Sequence, residues 1–249
     1  EKVRRLDYLA FQNLSMKQHT LNRLAKQTRL VIPAHPSFVK NGYLVEDMKY
    51  LSNYKLMEVL NGFRISTEHW DTALSNGHLV YLIANDDSHD ATDVTDVAVR
   101  FTMINAPENT AEHLIQALEN GNAIGVRFPR RPEESFEQKI KRMENERPYM
   151  TDIELNGDTL VISASKPFLK IRFIGQNGKE LDVQQNGKTA KYVIRPEDNY
   201  VRSEIKFRGG TTLYLNPITR HESDEIVKQR LDKINYPKTI MLWTIYVFV

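Results

Sequence analysis

Apolar residues recur along this chain with two different periods, and the change between them divides it. From residue 1 to about 27, Leu6, Leu9, Ala10 and Leu14, then Leu21, Leu24 and Ala25, fall at helical spacing, interrupted near Asn13 and Ser15. One or two helices are predicted there. Arg29-Leu-Val-Ile-Pro-Ala34 is a short apolar run closed by Pro33 and the His35-Pro36 pair, a strand end running into a loop. Leu44 to Leu51 reads as helix, and Lys55 to Leu60 as a strand closed by the Asn61-Gly62 turn. Trp70 to Leu74 is a short helix ended by the Asn76-Gly77 cap signal. Leu79 to Ala84 is continuously apolar, as a strand covered on both faces would be. Val97 to Ile104 repeats the strand signal, and Asn109-Thr110 caps a helix from Ala111 to Glu119. Strands alternating with helices predict an α/β unit with a parallel sheet over residues 1–131.

The period then shortens to two. Residues 132–150 are charged and poor in aliphatic runs, a linker or surface helix. Over 151–220 come DTLVISAS, PFLKIRFIG, ELDVQQNG, AKYVIRP, VRSEIKFRG and TTLYLNP, separated by turn residues. This predicts a small antiparallel β-sandwich, with hairpins at Asn156-Gly157, Asn177-Gly178 and Asn186-Gly187. Residues 221–249 are expected to hold a C-terminal helix and an apolar tail. Its last segment, KTIMLWTIYVFV, is too short for the roughly 20 residues of a spanning helix. Two readings stand for it: a terminal strand, favoured by its β-branched and aromatic content, or the first half of a membrane helix, favoured by Lys228, Arg230, Lys233 and Lys238.

Composition narrows the chemistry. The chain has 249 residues, 41% hydrophobic, and a net charge of +2 from 34 basic and 32 acidic residues. That balance disfavours nucleic acid without forbidding it, and leaves room for a small phosphorylated substrate. The absence of cysteine excludes disulfides, a thiolate nucleophile and zinc-thiolate sites. Metal ligands must therefore be His, Asp or Glu. The opening EKVRRLDYLAF has neither an initiating Met nor a signal-peptide pattern, so a processed or truncated chain is expected. Cell envelope and cytoplasm are both compatible locations, with membrane contact through the tail. Oligomeric state is left open.

Two polar clusters follow apolar runs. His35 stands where LVIPAH gives way to loop, and Asp86, Asp87, His89 and Asp90 crowd the end of LVYLIANDDSHD. Clustered carboxylates are either solvated turn chemistry, capping backbone amides, or are neutralised by a cation. In parallel α/β sheets ligands bind at the carboxyl ends of strands, which is where both clusters fall. His35, Asp87 and His89 can close on one cation; Glu58, in LMEVLNG, is either a solvent-side strand residue or a neighbour of that site. His19, His69, His78, His113 and His221 are weaker ligand candidates. Arg127, Arg130 and Arg131 could face phosphate or solvent. No Gly-rich phosphate loop, nucleophile elbow or HExxH segment is present.

The ordered segments VIPAHPSF, LMEVLNG, WDTALSNGHLVYLIANDDSHD and RFTMINAPENTAEHLIQALENGNAIGV, over about residues 28–127, resemble the C-terminal half of the PHP (polymerase and histidinol phosphatase) family. The whole is similar to two-domain PHP-like phosphoesterases of Bacteroides type. The resemblance implies part of a distorted (β/α)7 barrel followed by the β-sandwich, with two or three divalent ions (Mn, Zn or Fe) in the barrel mouth. It implies His35 as a ligand of a His-Pro motif, Asp87 and His89 as ligands of an Asp-x-His motif, and Glu58 and Asn61 as a Glu-x-x-Asn segment beside the metal. The implied activity is hydrolysis of a phosphomonoester or phosphodiester by a metal-activated water, with His35, Asp87 and His89 as the catalytic residues. The family's opening His-x-His segment is missing, so the chain is expected to be a fragment of a longer enzyme. The alternative is a non-catalytic binding or scaffold protein on a degenerate barrel. A sugar-binding module in the second half rests on β-domain analogy alone, since Phe168, Phe173, Tyr192, Tyr200, Phe207 and Tyr214 occupy core-like positions and leave no aromatic platform.

Overall fold

The computed structural model describes residues 14–38, 42–220 and 236–247. The predicted helix before residue 14 and the basic flank at Lys228, Arg230 and Lys233 lie outside the described residues, as does His221. Helix α1, Leu14–Ala25, and a short 3-10 turn at Val45–Lys49 lead into β1, Leu56–Asn61. Residues 29–34, predicted as a strand end, form no strand; the Pro33 carbonyl accepts a single bond from the Glu58 N–H at 3.1 Å. Helix α2, Thr67–Ser75, crosses over to β2, Tyr81–Asn85, which pairs in parallel with β1. Every residue of β1 is buried, as its apolar sequence requires of a strand covered on both faces.

The parallel arrangement stops there. Strand β3, Arg100–Ile104, and strand β4, Ala123–Arg127, run antiparallel to one another on either side of α3, Ala111–Glu119. Where the resemblance implied part of a (β/α)7 barrel, the described residues contain a two-stranded parallel sheet. A physical reason is visible along β2. The Leu82 N–H donates to the Asn216 side-chain oxygen at 2.8 Å, and the Ala84 N–H to the Thr102 hydroxyl at 2.9 Å, whose own hydrogen returns to the Ala84 carbonyl at 2.8 Å. Side chains satisfy the backbone edge that a third parallel strand would otherwise take.

Strand β4 instead continues into the second half of the chain. Helix α4, Phe136–Glu146, precedes strands β5 (Met150–Asn156), β6 (Thr159–Ala164), β7 (Phe168–Gly175), β8 (Lys179–Gln185), β9 (Thr189–Val193), β10 (Tyr200–Phe207) and β11 (Thr212–Thr219). One sheet has the order β3-β4-β11-β10-β7-β8 and the other β5-β6-β9. The six-stranded sheet thus runs across the division expected at residue 131. Between the sheets lies a core that includes Phe128, Ile162, Phe173, Val201 and Leu213. A second core gathers Trp70, Leu60 and Leu82 from the first half with Tyr200 and Tyr214 from β10 and β11. Gly125 permits that contact: a Cβ there would sit 2.4 Å from a methyl of Leu82 and 3.0 Å from one of Leu60.

The turns Asn156-Gly157 and Asn177-Gly178 link paired strands as predicted, but Asn186-Gly187 carries the chain from β8 in one sheet to β9 in the other. The C-terminal segment forms helix α5, Tyr236–Val247, and not a strand. Its Trp243 ring meets the His19 ring edge-on at 5.3 Å. Among the described residues no helix is long and apolar enough to cross a membrane.

Candidate functional site

A bulge in β1 builds the mouth. Glu58 and Asn61 are three apart, which in a regular strand would send their side chains to opposite faces. The register against β2 slips between Glu58 and Leu60, and the extra residue turns both side chains the same way. The Asn61 amide then donates to Glu58 Oε1 and to Asp87 Oδ2, each at 3.0 Å, while its oxygen accepts from the Phe63 N–H at 3.0 Å. Glu58 and Asn61 are buried, at 3% and 2% exposure, so the solvent-side reading of Glu58 fails. The second oxygen of Glu58 accepts the backbone N–H of His35. Four of the expected residues therefore meet at the carboxyl ends of the two parallel strands. His35 and Asp87 hold left-handed backbone angles, φ 30° and 51°, a local cost borne where the chain turns into the mouth.

Gly62 makes the approach of the two strand ends possible. A Cβ on it would lie 1.9 Å from the Asp86 carbonyl oxygen. Arg130 locks the same turn, donating from Nη2 to the Gly62 carbonyl at 2.7 Å and from Nε to the Thr95 carbonyl at 2.9 Å.

Most of the acidic run after β2 builds turns. Asp86 accepts three backbone N–H groups, from Ala98, Val99 and Arg100, at 2.5, 2.6 and 2.6 Å. Asp90 accepts from the Thr92 N–H and hydroxyl, and Asp96 from the His89 and Asp90 N–H groups, which hold both carboxyls below the usual carboxylate range. These are turn-building aspartates. Asp87 alone of the run faces Asn61. Lys139 on α4, itself buried, donates to the carbonyls of Val94 and Val97, so the segment predicted as a linker or surface helix is a helix that holds the loop from outside.

The imidazoles lie apart from the carboxylates. The His35 ring rests against Phe38 at 5.3 Å, and the His89 ring against Phe63 at 6.0 Å. The Arg64 guanidinium lies 5.4 Å from the Phe38 ring. Among the described residues no group of three or more His, Asp or Glu side chains is gathered as a metal would require. The donors are of the right kinds for a divalent ion, yet both carboxylates are engaged by one amide, so the arrangement does not fit a finished ion site. His69 is buried and bonded through Nε2 to the Tyr43 carbonyl at 2.9 Å, and His113 sits in the capped first turn of α3. Of the arginines expected near phosphate, Arg130 is committed to backbone carbonyls and Arg131 lies 3.7 Å from Glu146.

Phe38, Phe63, Arg64 and Lys139 were not among the residues expected at the site. The first three flank the His-Pro and Asn-Gly segments in sequence, which was the available signal; Lys139 had none.

No family model and no curated protein matches the chain. Among solved structures it is similar to a two-domain protein containing a predicted PHP-like metal-dependent phosphoesterase from Bacteroides vulgatus ATCC 8482, at 13% identity and a TM-score of 0.37. The match covers 80% of this chain and 64% of that one. Agreement at that level does not establish a shared fold, and this chain spans less than two thirds of that protein.

Proposed function

We propose that the mouth at the ends of β1 and β2 belongs to a phosphoesterase acting on a small phosphomonoester or phosphodiester, with His35, Asp87, His89 and Glu58 as this chain's share of a metal-ligating set. The observation that carries this reading is the convergence of Glu58, Asn61, Asp87 and the His35 backbone at one strand-end mouth, in segments that resemble the metal-binding motifs of the PHP family. Glu58 is a buried carboxylate joined to Asp87 through the Asn61 amide, a convergence of polar groups of the kind that binding sites carry. The divalent ion, whether Mn, Zn or Fe, would supply an activated water. This chain's residues orient the pocket: Asn61 sets the spacing of the two carboxylates, Gly62 lets the strand ends approach, and Phe38 and Phe63 hold the imidazoles at its rim.

A second reading is a non-catalytic binding module. It is favoured by the Asn61 amide, which neutralises neither carboxylate but gives each a donor and so makes the cluster self-sufficient without an ion.

The test is elemental analysis and phosphate release by the full-length protein, with His35→Ala and Asp87→Ala alongside. Bound transition metal and ester hydrolysis, both lowered in each variant, are expected. Metal-free protein after incubation with Mn, Zn and Fe salts, inert toward monoesters and diesters, would leave the binding module as the account.

A further inference from the structure

A cleft of about 730 Å³ opens between the two sheets of the sandwich. Tyr81, the first residue of β2, lines it, whereas the mouth described above lies beyond the other end of that strand. The cleft exists because the sheets splay at β5. Ile153 and Ile162 face each other in register across β5 and β6, yet Ile162 is 2% exposed and Ile153 is 43% exposed. The six-stranded sheet covers β6 and leaves the inner side of β5 open.

Its lining has an unusual balance of chemistry. Met103, Ile124, Leu160 and Leu215 give apolar walls, and Asp152 is the one charged residue among the lining side chains. With no cation present, a phosphate, sulfate or carboxylate would enter unpaired, which disfavours anions. The rim carries Asn105, Asn120 and Asn122, whose carboxamides make no side-chain hydrogen bonds among the described residues. Each offers two donor hydrogens and an acceptor, the set that vicinal hydroxyls match. Tyr149 stands beside them with 54% of its surface exposed, a ring available to an aliphatic C–H face. Most telling is Ser203. It lies on β10 between the core residues Val201 and Ile205, is 2% exposed, and lines the cleft. Both of these neighbours are apolar, so the serine sets one polar residue deep among the apolar walls.

We propose that this cleft binds a neutral saccharide, with one sugar ring on Tyr149, hydroxyls on the rim asparagines, and one ligand hydroxyl reaching Ser203. The size suits a few sugar rings. The site is independent of the strand-end mouth and of any activity there.

The test is titration of the full-length protein with maltohexaose, cellohexaose, xylohexaose and chitohexaose, followed by calorimetry and by amide shifts in NMR. At least one is expected to bind and to move the amides of Asn122, Tyr149 and Ser203. Ser203→Val and Tyr149→Ala should each weaken it about tenfold, the effect of losing one good contact. Tyr149 is at the surface, so its variant keeps the fold even if the Ser203 variant does not. Asp87→Ala should bind as the unaltered protein does. No binding by any of the four at millimolar concentration, binding unchanged in Tyr149→Ala, or binding lost in Asp87→Ala would overturn the proposal.

Discussion

Arg202 on β10 grips Asp71 on α2 with a two-pronged contact, Nε to Oδ1 at 2.6 Å and Nη2 to Oδ2 at 2.7 Å, across 131 residues of sequence. Both side chains are buried, the Tyr200 hydroxyl adds a bond to Oδ1 at 2.9 Å, and the guanidinium lies 5.0 Å from the Trp70 ring. Tyrosine 200 answers with a pKa well above its ordinary value, first from burial and then from the Asp71 charge. Asp71→Ala would strand a guanidinium in the interface, which costs about 3–5 kcal/mol in buried pairs. Urea denaturation should show that loss, with β1, β2 and α2 losing hydrogen-exchange protection first.

The Asn61 amide separates two carboxylates that would otherwise repel. Asn61→Ala should lower thermal stability and raise the affinity of the mouth for Mn²⁺, because a cation then replaces the lost hydrogens. The measurement is the melting temperature of both proteins with and without Mn²⁺. A larger upward shift in the variant is expected; equal shifts would mean that the two carboxylates do not share a ligand.

Gly62→Ala forces its methyl group against the Asp86 carbonyl, backbone against backbone, with no side chain able to yield. Destabilisation of about 1–3 kcal/mol is expected, the range of an overpacked position. Limited proteolysis should show faster cleavage near Asp93, because Asp86 also anchors the Ala98, Val99 and Arg100 amides.

Glu134 and Arg142 pair at 2.6 Å beneath α4, with Arg142 stacked 4.2 Å from the Phe128 ring. The hydrogen bond from Arg142 holds the Glu134 carboxyl below the usual carboxylate range. A depressed carboxyl contributes stability that is complete above the ordinary glutamate value of about 4.3 and is lost as pH falls through the lower folded value. Stability should therefore fall on acidification below about pH 4. Glu134→Gln should be less stable at neutral pH and should flatten that slope in urea titrations at several pH values.

Much of the architecture was readable because apolar period reports burial. The runs at Leu56 and Tyr81 and helix α3 fall within a residue or two of their predicted bounds, and α2 and the alternating strands from β6 onward within about three. Direction was not readable. Val97 to Ile104 looks the same whether its neighbour is parallel or antiparallel, and the decision lay with Thr102 and Asn216, single polar side chains that occupy the edge of β2. The site was legible in its members but not in its wiring. Nothing in LMEVLN announces a bulge at Val59, without which Glu58 and Asn61 would not meet. The crowded aspartates after β2 offered two meanings, and only geometry assigned Asp86, Asp90 and Asp96 to turn building and Asp87 to the mouth.

The position of β11 between β4 and β10 has a consequence for synthesis. Strand β4 leaves the ribosome with β3 as its antiparallel partner, but its other edge stays open until Thr212–Thr219 has been made. The same late strand brings Asn216 to the Leu82 amide and Tyr214 to the core beneath β1. The first half is therefore unfinished until that strand has been made, with an unpaired strand edge exposed to neighbouring nascent chains. A translation stop anywhere between residues 131 and 211 would release a product that cannot close its sheet and would be cleared or aggregate.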